Sequence, residues 1–116
     1  MENIKVLVVS PQSFFRRGIE YSLADVEGIT LSGIAEIDDT TLSEIDTDPP
    51  DVTLLDIDNS GGNGLLLAKR IKQRFSGTGI VVLTSNYNDA QLFQSLKAQA
   101  AAYLNKIGRA SCRERV

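Results

Sequence analysis

Short apolar runs alternate with amphipathic segments along this chain of 116 residues. The runs are rich in aliphatic and β-branched residues and too short for buried helices, which is typical of strands covered on both faces. The segments between them carry apolar residues at helical spacing. The pattern predicts strands at residues 4–9, 29–35, 52–57, 79–83 and 102–104.

Three of the intervening segments predict full helices. The first is expected to open at Ser10-Pro11, because a serine hydroxyl can accept from a free N–H and proline suits the first helical position. The third is expected over about residues 89–100. The apolar stripes are Phe15, Ile19 and Leu23, then Leu67, Ile71 and Phe75, then Phe93, Leu96 and Ala100. A shorter polar segment carries Leu42 and Ile45.

Alternation of buried strands and helices predicts an α/β fold, in which right-handed crossovers join the strands of a parallel sheet. Ligands of such folds lie at the carboxyl ends of the strands, where the strand order reverses. The polar residues at those ends define the candidate site. They are Ser10, Asp56, Asp58, Thr84 and Lys106.

Composition narrows the chemistry of that site. The chain has no His and one Cys, which excludes a Ser-His-Asp triad, a Cys-His pair and a cysteine-rich zinc centre. A formal net charge of -3 argues against nucleic-acid binding by this segment alone. Neither a signal peptide nor a membrane span is found, so we expect a cytoplasmic protein with no membrane contact.

Several short motifs stand in a distinctive order. They are Val6-Leu7-Val8-Val9, Phe14-Phe15-Arg16-Arg17-Gly18-Ile19, Pro50-Asp51-Val52-Thr53-Leu54-Leu55-Asp56, Asn63-Gly64, Val81-Val82-Leu83-Thr84 and Ala102-Tyr103-Leu104-Asn105-Lys106. Together they resemble the receiver domains of two-component response regulators, especially those attached to LuxR-type DNA-binding domains. The resemblance covers residues 4–106 and implies a flavodoxin-like, doubly wound five-stranded parallel sheet of order 2-1-3-4-5.

The resemblance also implies roles for individual residues. Asp56 matches the aspartate that accepts a phosphoryl group from a sensor histidine kinase. Lys106 and Thr84 match the lysine and hydroxyl that, with Mg²⁺, offset charge on the transferring phosphoryl oxygens. Tyr103 matches the aromatic switch residue whose rotamer reports phosphorylation to the protein surface.

One part of the family pattern is missing. The family ends its first strand with two acidic residues that hold Mg²⁺, and this chain has Ser10-Pro11 there. Asp56 and Asp58 are the remaining candidate metal ligands, and we expect weak Mg²⁺ binding. With fewer carboxylates nearby, Lys106 is expected to pair with Asp56.

The expected function is that of a non-enzymatic, homodimeric receiver module in a phosphorelay. It would regulate transcription through a C-terminal helix-turn-helix domain that is missing from this chain, and it would contact DNA only through that domain. The alternative is a phosphorylation-independent pseudo-receiver, used for protein interaction or dimerisation. A flavodoxin-like cofactor binder is a third hypothesis, although no phosphate-cradling loop is found.

Each site residue also has a simpler interpretation. Asp56 could cap the turn after its strand. Lys106 could be solvated, and Thr84-Ser85 could cap the next helix. Tyr103 could be a half-buried strand aromatic. The basic face of Lys69, Arg70, Lys72 and Arg74 is interpreted as a solvated helix surface.

Residues 107–116 read Ile-Gly-Arg-Ala-Ser-Cys-Arg-Glu-Arg-Val and lack apolar periodicity. They match the translation of a widely used sequencing-library adapter. We therefore predict a receiver domain at 1–106, truncated before its fifth helix, followed by a non-native tail at 107–116. Without the fifth helix, one apolar face of the sheet should lack cover, and the chain should be less stable or associate through that face.

Overall fold

The computed structural model describes residues 3–34, 42–43, 45, 49–58, 63–86 and 88–106. Within these ranges strands and helices alternate as the sequence predicted. The bounds are β1 Ile4–Val9, α1 Ser13–Leu23, β2 Ile29–Ile34, β3 Val52–Asp56, α2 Asn63–Arg74, β4 Gly79–Thr84, α3 Asp89–Lys97 and β5 Ala102–Asn105. Residues 35–41, most of the loop before α2 and the tail at 107–116 lie outside the described residues.

The five strands form one sheet in the order β2-β1-β3-β4-β5, and every adjacent pair is parallel. This confirms the predicted doubly wound, flavodoxin-like fold. Because all strands run the same way, their carboxyl ends meet at one edge. There Asp56, the last residue of β3, is in register with Leu83 of β4, and Thr84 is in register with Asn105 of β5.

One face of the sheet is well covered by α2 and α3. Alternate residues of each strand point toward this face, as the two-residue period of a strand requires. The buried strand residues in its core are Leu7, Val9, Leu55, Ile80, Val82 and Tyr103, and they meet Leu67, Ala68 and Ile71 of α2. Leu42 and Ile45, the apolar residues predicted on the short polar segment, are buried in the same core.

The opposite face carries α1, the one described helix on that side. The predicted stripe of Phe15, Ile19 and Leu23 faces the sheet but is only half-buried. Beside α1 lies an open, mainly apolar groove of about 610 Å³. Its floor is formed by the half-buried strand residues Leu54, Val81, Leu83 and Leu104.

The predicted start of the first helix is wrong. The helix begins at Ser13, with Gln12 as its N-cap residue, and no side chain caps it. Ser10 lies before the helix, where its hydroxyl accepts the Gln12 N–H at 3.1 Å. Its Oγ also donates to Asp56, so Ser10 belongs to the site at the sheet edge.

The predicted buried face of the third helix is wrong at two of its three positions. Phe93 and Leu96 are 58% and 60% exposed, whereas Ala100 lies beyond the end of the helix at Lys97 and packs partly buried against the core. The residues that face the sheet are Leu92, Ser95 and Ala98, which follow an i, i+3, i+6 spacing along the helix. Small residues at two of these positions let the helix lie close to the sheet, and the larger apolar side chains are left outside.

Candidate functional site

The candidate site lies at the carboxyl edge of the sheet. Ser10 follows β1, Asp56 and Thr84 end β3 and β4, and Lys106 follows β5. The Lys106 N–H donates to the Thr84 carbonyl at 2.8 Å, which holds the two strand ends together. Parallel pairing therefore brings together residues that lie far apart in the sequence.

Asp56 is fully buried at the centre of this edge. Its Oδ2 accepts a hydrogen bond from Ser10 Oγ at 2.6 Å and lies 2.9 Å from Lys106 Nζ. Its Oδ1 accepts the Asp58 N–H at 2.9 Å. A buried carboxylate is stable only when it is paired and hydrogen-bonded, and both Asp56 oxygens meet that condition within the protein.

Lys106 is the cation of the site, and its side chain is 8% exposed. Its Nζ contacts Oδ2 of Asp56 at 2.9 Å, Oδ2 of Asp58 at 3.0 Å and Oε1 of Gln12 at 2.9 Å. The same ammonium lies 4.3 Å from the centre of the Phe15 ring. An ammonium group has three N–H donors, and these three oxygen contacts match that number. The expected pairing of Lys106 with Asp56 is present.

Asp58 accepts hydrogen bonds from the end of β4. Thr84 Oγ1 donates to its Oδ1 at 2.6 Å, while the N–H and hydroxyl of Ser85 donate to its Oδ2 at 3.0 and 2.8 Å. Burial by itself raises the pKa of Asp58. The hydrogen bonds from Thr84, Ser85 and Lys106 outweigh burial and lower the pKa from 3.8 to about 2. Asp58 is therefore a carboxylate at neutral pH.

Thr84 is buried and faces Asp58, so its hydroxyl does not donate to Asp56. The same oxygen accepts the Asn86 N–H at 3.0 Å. The simpler interpretation of Thr84-Ser85 as the cap of the next helix is wrong, since Asn88 fills that role and accepts the Gln91 N–H at 2.8 Å.

Tyr103 points into the core from β5 and is 6% exposed, so it is more buried than a half-buried strand aromatic. Its hydroxyl donates to Gln91 Oε1 at 2.8 Å and accepts the Asn88 N–H at 3.3 Å. Buried tyrosines usually satisfy the hydroxyl in this way. These contacts tie Tyr103 to the first turn of α3.

Sequence reasoning missed two residues around the site. Gln12 supplies the third oxygen to Lys106, and Arg16 donates from Nη1 to the Ser10 carbonyl at 2.6 Å. Their positions directly after β1 and in the first turns of α1 were the available signal. Neither residue type is distinctive by itself, so only the spatial arrangement shows their contact with the site.

The residues present do not fit a divalent cation, the group that the family implies here. Pro11, at the second position of the missing acidic pair, offers no carboxylate. The oxygens of Asp56 and Asp58 already accept from Ser10, Thr84, Ser85, a backbone N–H and Lys106. Among the described residues no cluster of three or more acidic, His or Cys side chains has the arrangement of a metal site. Mg²⁺ prefers octahedral oxygen ligation, and an ammonium already bridges the two carboxylates here.

Comparison with known proteins agrees with the fold. The family model for the response regulator receiver domain matches residues 6–113. The chain is 33% identical over 103 residues to the response regulator GacA of Pseudomonas aeruginosa, and 30% identical over 103 residues to UvrY of Escherichia coli. Each match covers 89% of this chain and 48% or 47% of the relative, so the chain spans about half the length of these curated relatives. The chain belongs to the response-regulator receiver family, in its LuxR-type subfamily.

Solved structures show the same architecture. The isolated receiver domain of RcsB from Salmonella enterica serovar Typhimurium, determined with the phosphomimetic BeF₃⁻, has a TM-score of 0.81 and 25% identity. That match covers 93% of this chain and 80% of the RcsB domain. The receiver domain of NarL from Mycobacterium tuberculosis has a TM-score of 0.83 and 25% identity, over 96% and 90% of the two chains.

No helix within the described ranges is both long and apolar enough to cross a membrane. The longest described helix, α2, has 12 residues. A transmembrane helix needs about 20.

Proposed function

We propose that this chain is the signal-receiving module of a transcriptional response regulator, and that it works as a pseudo-receiver. Its output would be carried by contacts with other protein surfaces, including a second copy, and would not be switched by metal-dependent phosphorylation of Asp56. The DNA-binding function would reside in a C-terminal helix-turn-helix domain outside this chain. The RcsB response regulator, a structural relative, has been determined bound to a promoter.

The observation that carries the proposal is the closed charge network at the sheet edge. Phosphoryl transfer needs a free carboxylate oxygen in line with the phosphorus and positive charge for the equatorial oxygens. Here the oxygens of Asp56 accept from Ser10, Lys106 and the Asp58 N–H, and Lys106 is shared with Asp58 and Gln12. The carboxylate of Asp56, which would attack the phosphorus, and the ammonium of Lys106, which would offset the phosphoryl charge, are therefore already paired with each other.

The second candidate function is a phosphorylated receiver with a sensor histidine kinase as its partner. The 2.9 Å contact between Asp56 and Lys106 favours it, because such a lysine could follow the developing charge during transfer. Asp56 would then be the phosphoacceptor, Lys106 and Thr84 would bind the phosphoryl oxygens, and Asp58 would assist in metal binding.

Mass spectrometry after incubation with acetyl phosphate and Mg²⁺ separates the two functions. We expect no phosphoryl increment on the native chain. The double substitution Ser10→Asp with Pro11→Asp restores the acidic pair, and we expect that variant to gain an increment at Asp56. Adding Asp56→Asn to the double substitution provides the matched negative control.

A phosphoryl group found on Asp56 of the native chain would refute the pseudo-receiver and establish the second candidate. If neither the native chain nor the double variant is labelled, the acidic pair is not the missing element. The contacts of Asp58 with Lys106 and Thr84 would then be the remaining cause, and adding Asp58→Asn to the double variant would test it.

A further inference from the structure

Asp58 presents its carboxylate to three groups around Asp56. Lys106 Nζ lies 3.0 Å away, Thr84 Oγ1 donates at 2.6 Å, and Ser85 donates through both its N–H and its hydroxyl. By family resemblance the lysine and the threonine hydroxyl are the side chains that would otherwise offset the charge of a phosphoryl group. In this chain the carboxylate of Asp58 already contacts the Lys106 ammonium and accepts from the Thr84 hydroxyl.

The position of Asp58 makes this contact part of the local structure. Its N–H donates to Asp56 Oδ1 at 2.9 Å, so the carboxylate of Asp58 is held next to that of Asp56. Its side chain is 11% exposed. An anion with four donors in a poorly solvated site is bound strongly, because charge-assisted hydrogen bonds gain strength when water is excluded.

The contacts of Asp58 hold the first residues of the loop between β4 and α3. Thr84 and Ser85 donate to Asp58, and the Asn86 N–H donates to Thr84 Oγ1 at 3.0 Å. At the other end of the loop, Asn88 donates its N–H to the hydroxyl of the buried Tyr103. Asp58 and Tyr103 therefore anchor the two ends of one short loop.

We infer that Asp58 is a built-in substitute for the phosphoryl group, holding the β4–α3 loop and Tyr103 constitutively in the arrangement that a modified Asp56 would select. This inference rests on the proposed pseudo-receiver and extends it by naming the residue that sets its state. Asp58 acts here as a positioning residue, through Thr84, Ser85 and Lys106. The module is then permanently in one signalling state.

Asp58→Asn tests the role of the charge. The amide keeps the size of the side chain and one acceptor oxygen, so a purely structural hydrogen bond to Thr84 is retained while the charge is lost. We expect the amides of Ser85 and Asn86 to exchange with solvent about tenfold faster or more, because the loop then opens locally. We also expect the ring signals of Tyr103 to shift in NMR spectra. Asp58→Ala should give a larger effect in both measurements.

Asp51→Asn is the matched control. Asp51 precedes the same strand at the opposite edge of the sheet and accepts the Lys5 N–H at 2.9 Å. The Asp51→Asn variant should leave the amide exchange of Ser85 and Asn86 and the ring signals of Tyr103 unchanged. Unchanged exchange and ring signals in both Asp58 variants would overturn the inference.

Two further measurements keep the test decisive. If both Asp58 variants unfold, Ser85→Ala removes only one donor to Asp58, and exchange at Asn86 should rise about two- to threefold; an unchanged rate would count against the inference.

In the triple variant Ser10→Asp, Pro11→Asp, Asp58→Asn, BeF₃⁻ with Mg²⁺ should return the Tyr103 signals to their native positions. Failure to return while BeF₃⁻ is bound would also overturn it.

The two proposals fail in different experiments. Labelling of native Asp56 by acetyl phosphate refutes the pseudo-receiver, whatever Asp58 does. Amide exchange rates in the Asp58 variants equal to those of the native chain would refute the role of Asp58 as a substitute anion. That result would not change the expectation that Asp56 of the native chain is not labelled.

Discussion

Lys106 Nζ lies between two carboxylates, 2.9 Å from Oδ2 of Asp56 and 3.0 Å from Oδ2 of Asp58. One lysine is thus the shared cation of two acids that are adjacent in space at a buried strand edge. Removing the lysine leaves both acids without that cation in a poorly solvated site, which is costly. This relationship leads to the first stability prediction.

We expect Lys106→Met to destabilise the chain by about 3 kcal/mol, because Asp56 and Asp58 then lose their shared cation. The methionine keeps a similar apolar length but lacks the ammonium that lies over the Phe15 ring. Urea unfolding monitored by circular dichroism measures the change. Lys69→Met, at an exposed lysine of α2, is the control and should stay within about 0.5 kcal/mol of the native chain. Adding Asp56→Asn to Lys106→Met should recover part of the loss, and independent losses would contradict the pairing.

Acid should weaken the fold through Asp58. Its folded-state pKa of about 2 lies below the ordinary value of 3.8, so its contribution is fully present above about pH 4 and is lost as the pH falls toward 2. The difference corresponds to roughly 2 kcal/mol. Unfolding free energies measured from pH 7 to pH 2 should fall less steeply for Asp58→Asn than for the native chain. Parallel curves for the two proteins would show that Asp58 contributes nothing to the acid sensitivity.

Replacing each of two buried threonines with valine should change the free energy of unfolding in opposite directions. Thr53 on β3 has a buried hydroxyl with no hydrogen-bond partner among the described residues, so Thr53→Val should stabilise the chain by about 1 kcal/mol. Thr84→Val removes the donor to Asp58 and the acceptor of the Asn86 N–H, and should destabilise by about 2 kcal/mol. Both are measured by urea unfolding, and equal effects would contradict the different hydrogen bonding of the two side chains.

The exposed face of α3 gives a fourth prediction. Phe93→Ala should cost less than about 1 kcal/mol, because the side chain is 58% exposed and the Lys97 ammonium lies over its ring at 5.4 Å. Ile71→Ala in α2 deletes a fully buried side chain and should cost about 3 kcal/mol. Thermal unfolding of the two variants compares them directly. A larger loss of stability for Phe93→Ala than for Ile71→Ala would contradict the exposed position of Phe93. It would support the buried stripe that the sequence predicted.

The strands were predictable because their side chains are apolar on both faces. Such runs as Ile4–Val9 and Gly79–Thr84 suit few other environments, and their alternation with helical stripes defines a parallel sheet. The start of α1 and the buried face of α3 were not predictable. Both depend on local competition, since Ser10 hydrogen-bonds Asp56 instead of capping the helix, and Ser95 and Ala98 pack more closely than Phe93 and Leu96.

The sequence by itself determined the receiver fold, the order of its strands through family resemblance, and the replacement of the acidic pair by Ser10-Pro11. It also placed Asp56, Asp58, Thr84 and Lys106 at strand ends, because parallel strands bring these ends to one edge. Only the tertiary structure decided how those side chains pair. Each acid had several possible partners at this edge, and only the packing of the strand ends selects among them: Thr84 and Ser85 bind Asp58, Ser10 binds Asp56, and Lys106 bridges both acids.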